Sequence, residues 1–372
     1  MNRITTITKN AVLHFLYKYV LKRILFRLDP EHVHDHIISF GKKLGTYSLT
    51  RKATRLVFYF EDRTLFQNIL GMQFKNPIGL SAGFDKNAEL TDILPHVGFG
   101  FAEVGSITAK PCEGNPKPRL WRMPAHKSLA VWFGLKNDGA VQISNRLRNK
   151  NFKIPIGISI AKTNCKETVN VDAGIADYVE AYQQFSGIGS YDTINISCPN
   201  AFGGQPFTDK KSLHKLLAAL QQVRNPKPLF IKLSPDLTPI QIDDIIELAY
   251  EYGVNGFVCT NLTKPTDRSS IAGAPEHGGF SGKLVDDKST ELIGYIYKKT
   301  RNDFVLIGVG GIFNGQDAYK KIRAGASLVQ LITGMVYEGP QLIGEINLEL
   351  VRLLKKDGLT SINEAVGRDF AL

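Results

Sequence analysis

Lys86, Ser106, Ser159, Asn195, Cys198, Lys232, Thr260, Asn261 and Thr333 share one kind of position in this chain. Each stands at or just past the C-terminal end of a short apolar, β-rich run. Barrel enzymes build their active sites on that face, and a purely structural barrel has no reason to put lysines and asparagines there repeatedly. Two glycine-rich pieces narrow the chemistry. Gly308-Val309-Gly310-Gly311 closes the seventh run and Thr333-Gly334 follows the eighth. A GxGG run alone is a weak signal. After these two strands it marks a phosphate cradle, with backbone N–H groups aimed at an anion. It is not a dinucleotide fingerprint, because G-x-G-x-x-G does not follow.

The elements that must position these residues are the runs themselves: Pro77–Ala82, Phe101–Gly105, Gly157–Ala161, Thr193–Ser197, Leu229–Leu233, Gly256–Cys259, Val305–Val309 and Leu328–Ile332. Most connections between them are long enough for a helix, which predicts an α/β fold, a closed parallel (β/α)8 TIM barrel. Residues 67–372 form this barrel unit, 46–66 a polar, basic linker, and 1–45 a small N-terminal helical extension. The extension carries most of the charge. Of the 372-residue chain's net +11, +8 falls in the first 60 residues, where 11 Lys/Arg meet three acids. A basic patch at one end points to a polyanionic surface or a targeting segment.

From Thr8 to Leu28 apolar residues recur at helical spacing, with Lys18 and Lys22 on one flank and Arg23 and Arg27 on the other. That pattern suits a helix lying in a membrane interface, and equally a helix packed on its own domain with solvated charges. Residues 1–28 contain no acid, as in a mitochondrial presequence. The pattern runs directly into Asp29-Pro30-Glu31, where Asp29 caps and Pro30 opens a second helix to about Leu44, and a removable leader is not expected to join an element so tightly. His32 and His36 in that helix are four apart, but no acid or cysteine completes a metal site, and none is expected. No window is long and apolar enough to span a bilayer. Cys112, Cys165 and Cys259 read as small buried residues of a reducing compartment.

The residues resemble the dihydroorotate dehydrogenase family. The resemblance runs from about Leu25 to Gly367 and rests on Ser81-Ala82-Gly83-Phe84-Asp85-Lys86, Glu103-Val104-Gly105-Ser106-Ile107-Thr108, Gly114-Asn115-Pro116-Lys117-Pro118-Arg119, Asn195-Ile196-Ser197-Cys198-Pro199-Asn200, Lys232-Leu233-Ser234-Pro235-Asp236 and Gly278-Gly279-Phe280-Ser281-Gly282. Gly308–Gly311 with Gly315-Gln316-Asp317-Ala318, and the run Arg323–Leu331, complete it. The head with Leu28-Asp29-Pro30-Glu31 is similar to the membrane-associated, quinone-using class.

The resemblance implies FMN as cofactor, held by Ala82, Gly83, Lys86, Ser106, Ser159, Asn195, Lys232, Thr260, Gly282, Gly311, Ile332 and Thr333. Lys232, near the flavin N1/O2 edge, would stabilise the anion formed on reduction. It implies dihydroorotate as substrate and orotate as product, bound by Lys86, Asn195, Asn200 and Asn261, whose amides both donate and accept. Cys198 would be the base that removes the C5 proton while C6 passes hydride to flavin N5. His34 and Arg122 would face a membrane quinone. The expected place is a peripheral one on an anionic membrane surface, the cytoplasmic face of a bacterial inner membrane or else the mitochondrial inner membrane. Charge alone makes no nucleic-acid site, and no nucleic-acid partner is expected.

Several positions depart from the family. The quinone class usually has serine where Cys198 stands, and cysteine is typical of the soluble class. Val131 replaces a substrate-contacting asparagine, Leu262 a Thr or Ser, Ser159 an Asn and Ile332 a Tyr. Lost polar contacts cost on the order of 1–3 kcal/mol each where a partner stays unpaired. The alternative they raise is a flavoprotein paralogue with another reduced pyrimidine-like substrate or another electron acceptor.

Overall fold

Each of the eight β-rich runs forms a strand because its apolar residues are buried on both faces, the pattern of a parallel sheet covered by helices. The strands are β1 (Ile78–Leu80), β2 (Phe101–Ile107), β3 (Ile156–Ile160), β4 (Tyr191–Asn195), β5 (Leu229–Leu233), β6 (Gly256–Cys259), β7 (Val305–Val309) and β8 (Leu328–Leu331). They pair in parallel and close into a barrel, with Val329 of β8 opposite Ile78 of β1. The computed structural model describes residues 3–265 and 267–370. Residues 1, 2, 266, 371 and 372, the last three within the expected barrel unit, lie outside the described residues.

The barrel floor is aromatic. Phe74, Phe101, Tyr191 and Phe230 pack with Val258, Ile307 and Leu328 beneath the strands. Gly79 and Gly157 make room for them: a Cβ at either would fall 2.4 Å from the Phe101 ring or 2.2 Å from the Tyr191 ring. Above the floor lies a buried carboxylate, Glu103, which accepts a hydrogen bond from Thr193 Oγ1 at 2.9 Å. A three-stranded antiparallel sheet, Leu120–Met123, Ser128–Val131 and Gly279–Gly282, stands beside the mouth.

The head contains three helices. The first, α1 (Arg3–Leu16), continues through a π-helical turn at Tyr17–Leu21 and an α-helical segment at Lys22–Leu25. α2 (Pro30–Thr46) starts as its sequence requires, since the Asp29 side chain accepts from His32 N at 2.8 Å and Pro30 occupies the first turn. The stretch expected as a polar linker is helical instead, as α3 (Ser48–Phe58). Its apolar Leu49, Leu56 and Val57 are exposed, so its high Lys/Arg content conceals an amphipathic element. The head helices have both an inward and an outward side. Tyr17 packs inward, its hydroxyl donating to Val336 O at 2.7 Å, while Phe15 (58%), Ile24 (56%), Phe40 (61%), Leu49 (76%) and Leu56 (72%) face outward. Among the described residues no helix is long and apolar enough to cross a membrane.

Candidate active site

The register of the barrel sets the site. Asn195 at the end of β4 lies directly opposite Lys232 of β5, so both reach the mouth at one level. The Asn195 amide donates to Ser106 Oγ (2.7 Å), and Ser106 shares a proton with Ser159 Oγ (2.8 Å). On its other side, Asn195 Oδ1 accepts from Ser197 Oγ (2.9 Å), Ser197 N (3.1 Å) and Asn261 Nδ2 (3.3 Å). Thus Ser106, Ser159, Asn195 and Asn261, residues of four different strand ends, form one network. Ser197 joins it although no binding role was expected for it. Among the described residues Lys232 Nζ has only distant partners, Ser81 Oγ at 3.4 Å and Glu103 Oε1 at 3.8 Å. Burial lowers its pKa and the Glu103 carboxylate opposes that, so the position holds an under-satisfied ammonium facing the mouth.

The glycine-rich side is equally crowded. Ser281 Oγ and Thr333 Oγ1 are 2.7 Å apart. Gly282 (φ +80) sits so close to the neighbouring strand that a Cβ would meet Lys127 O at 2.4 Å and Thr333 Cγ2 at 2.9 Å. At Gly311 (φ +73) a Cβ would fall 2.3 Å from Asp286. Buried Lys321, its pKa pushed down to about 8 by burial, holds Asp286 Oδ1 at 3.1 Å from behind. Gly83 N donates to Gly105 O (2.7 Å), and a Cβ on Gly83 would lie 3.8 Å from Ile332 Cδ1. Ala82 and Gly83 therefore adjoin the Ser106 and Ile332 positions. Thr260 is buried at the end of β6 and its hydroxyl donates to Asn261 O.

Cys198 opens a loop, 198–206, that is tied at several points. Gln205 Nε2 donates to Ser197 O (2.9 Å), Lys162 Nζ to Phe202 O (2.8 Å) and Phe202 N to Asn164 Oδ1 (2.7 Å). Burial pushes the Cys198 thiol up from its ordinary value, and the Lys162 and Lys232 charges pull it back. Asn200 donates to Val131 O at 2.9 Å, while its Oδ1 is buried without a partner among the described residues. Val131 thus supplies a main-chain acceptor where an asparagine side chain was expected. Leu262 packs by Gly279 and Pro199, where a Cβ on Gly279 would meet Leu262 Cβ at 2.7 Å.

Lys86 is not in the Asn195 network. Its ammonium lies 4.0 Å over the Phe133 ring, and desolvation brings its pKa down to about 8, opposed chiefly by Asp35 of α2. His34 and Arg122 fall on the seam between head and barrel but have different partners. His34 Nε2 bonds Phe84 O at 2.9 Å, with burial and the Lys86 charge lowering its pKa. Arg122 donates to Leu28 O at 2.8 Å and lies 4.7 Å over Phe26, its Nε buried without a partner. His32 and His36 stack at 4.3 Å on the exposed side of α2.

Sequence reasoning assigned no role to Glu103, Ser197, Lys162, Glu31 or Arg119. Lys162 carried a usable signal, since it stands just past the end of β3. Glu103 carried none, since its value comes from the side chains that β4 and β8 bring to it.

The polar groups fall into two sets: hydroxyls beside glycine backbone at Ser281, Gly282, Gly311 and Thr333, and the amide network of Asn195 and Asn261 with Lys232 opposite. Fold and site together define a (β/α)8-barrel protein of the enzyme type, with polar and titratable groups gathered at one mouth. The chain belongs to the dihydroorotate dehydrogenase family, whose model matches residues 64–354. A Natronomonas pharaonis protein named dihydroorotate dehydrogenase (quinone) is 41% identical over 94% of this chain and 98% of its own length. One of the same name from Christiangramia forsetii is 39% identical over 90% and 99%. The Eimeria tenella DHODH crystal structure in complex with ferulenol superposes with a TM-score of 0.82 at 32% identity, covering 92% of this chain and 96% of that one.

Proposed function

We propose that the protein oxidises dihydroorotate to orotate with a quinone as electron acceptor, a step of de novo pyrimidine synthesis. The observation that carries this reading is the Ser106–Ser159–Asn195–Ser197–Asn261 network beside Lys232 and Cys198, in a chain of this family. FMN would be held by Ala82, Gly83, Lys86, Ser106, Ser159, Asn195, Lys232 and Thr260 toward its ring and ribityl chain, and by Gly282, Gly311, Ile332 and Thr333 toward its phosphate. Bound there, it supplies the acceptor for the hydride that leaves C6 of the substrate.

Lys86, Asn195, Asn200 and Asn261 would hold the pyrimidine ring. The unpartnered Asn200 Oδ1 offers an acceptor to a ring N–H, and Lys86 a cation to the carboxylate. Cys198 takes the C5 proton. Its thiol starts above the usual range, so the Lys162 and Lys232 charges supply the bias toward thiolate. His34 and Arg122, on the head–barrel seam, are the residues proposed for the quinone. The outward apolar side chains of the three head helices, interleaved with Lys18, Arg23, Arg27 and Lys52, suit an anionic membrane interface. The corresponding place is the cytoplasmic face of a bacterial inner membrane, or the mitochondrial inner membrane.

Purified protein tests this reading directly. Heat-released cofactor should be FMN, and dihydroorotate should drive reduction of a soluble quinone analogue. Absence of both would overturn it.

A further inference from the structure

Glu31, near the start of α2, is a buried carboxylate held by cations of the barrel. Arg119 grips it bidentately, NH2 at 2.8 Å from Oε1 and Nε at 3.1 Å from Oε2, with Lys117 at 3.6 Å and Lys136 at 3.7 Å. Burial alone would raise its pKa, but the Arg119 hydrogen bonds and the three positive charges outweigh that and hold it ionised. The same guanidinium turns its remaining nitrogen inward. Arg119 NH1 donates to Glu113 O and Asn115 O, both at 2.8 Å, which fixes the turn at Gly114 (φ +82).

Asn115 then reaches the substrate loop. Its Nδ2 donates to Asn200 O (3.2 Å) and Trp132 O (3.1 Å), and its Oδ1 accepts from Asn164, whose own Oδ1 holds Phe202 N. The amide lies flat against Gly134, where a Cβ would come within 2.5 Å of Asn115 Cγ. A continuous set of hydrogen bonds thus runs from the head, through Arg119 and Asn115, to both sides of the loop that carries Cys198 and Asn200.

We infer that Glu31 and Arg119 are positioning residues for the oxidation of dihydroorotate: the head, besides any role toward quinone and membrane, holds the substrate loop through Asn115. This rests on the functional reading above. A loop held at its backbone presents its thiol and amide in one geometry, and small misplacements of such groups cost rate steeply.

The test separates the two half-reactions in the full-length flavoprotein. Mixed anaerobically with dihydroorotate and no quinone, Glu31→Gln and Asn115→Ala should each reduce flavin about tenfold more slowly than wild type. Glu31→Asp, which keeps the charge, should recover most of that rate. Amide hydrogen exchange across residues 198–206 should accelerate in the two slow variants. Reoxidation of photoreduced enzyme by a quinone analogue should be unchanged in Asn115→Ala. That variant leaves the Glu31–Arg119 pair and the main-chain Asn115 O contact in place and carries the test even if Glu31→Gln fails to fold. An Asn115→Ala protein with wild-type reduction and wild-type exchange would overturn the inference, and so would equal slowing of both half-reactions. Wild-type protein that dihydroorotate leaves oxidised would instead overturn the functional reading, and exchange would still decide whether the link exists.

Discussion

The barrel mouth and the head treat their side chains in opposite ways. At the mouth, polar and charged groups are buried: Lys162, Lys232, Asn195, Ser159 and Glu103 are almost wholly removed from solvent. Burial lowers the lysines' pKa values accordingly. In the head, apolar side chains from α1, α2 and α3 stand in solvent. Each arrangement costs free energy in an isolated chain, desolvation in one region and unburied apolar surface in the other. On the proposed reading, a partner of matching chemistry would relieve each: an anionic, hydrogen-bonding ligand at the mouth and an apolar phase at the head. The seam between them is held by the Glu31–Arg119 pair.

The sharpest way to break this contrast is to change each region alone. Cys198→Ala should leave FMN bound and slow flavin reduction by dihydroorotate by about 10²–10⁴-fold at neutral pH, the usual contribution of a general base. Normal reduction would show that another group takes the proton. Phe15→Glu with Ile24→Glu, both exposed, should weaken binding to anionic vesicles by at least about a hundredfold, given roughly 1.5–3 kcal/mol for each of two apolar side chains buried. Flavin reduction should not change, and unaltered cosedimentation would show that this face is not the membrane contact. Lys162→Met removes a charge that favours thiolate, so the rise of reduction rate with pH should move to higher pH, with about a tenfold loss near neutrality. A profile that stays in place would detach Lys162 from Cys198.

Smaller effects sharpen the account of the substrate pocket. Lys86 is protonated below about 8 and loses its charge as pH rises through that value. Orotate affinity, followed by the perturbation of the flavin spectrum, should be full below that pH and fall above it. A flat profile in wild type would remove Lys86 from carboxylate binding. Val131→Asn restores a side-chain amide beside Asn200 and should tighten orotate by about 1 kcal/mol, roughly fivefold. Weaker binding would mean that a side-chain amide at position 131 does not pair with the ring.

Much of the fold was legible because its signals are local. The eight strands and their polar ends follow from apolar runs of strand length, and α2 from Asp29 and Pro30. Helix α3 was hidden because Tyr47, which precedes it, makes no side-chain cap, so the usual N-terminal signal is missing. Strand-end position picked out Asn195 and Asn261, and the resemblance gave them roles, but neither reached the Ser197 hydroxyl that joins them. The carboxylate beneath Lys232 was equally invisible. Glu103 reads as an ordinary acid in an apolar run until β4 and β8 bring Thr193 and Gln330 to it. Long-range register decides such contacts, and no spacing along the chain encodes it.

On the proposed reading, the buried polar mouth oxidises dihydroorotate by way of a bound flavin. Anaerobic titration of the purified full-length protein with dihydroorotate measures this most directly. The account predicts bleaching of the flavin band on addition of dihydroorotate, with orotate recovered in amounts matching the flavin reduced. A flavin band that stays oxidised at saturating dihydroorotate would contradict it.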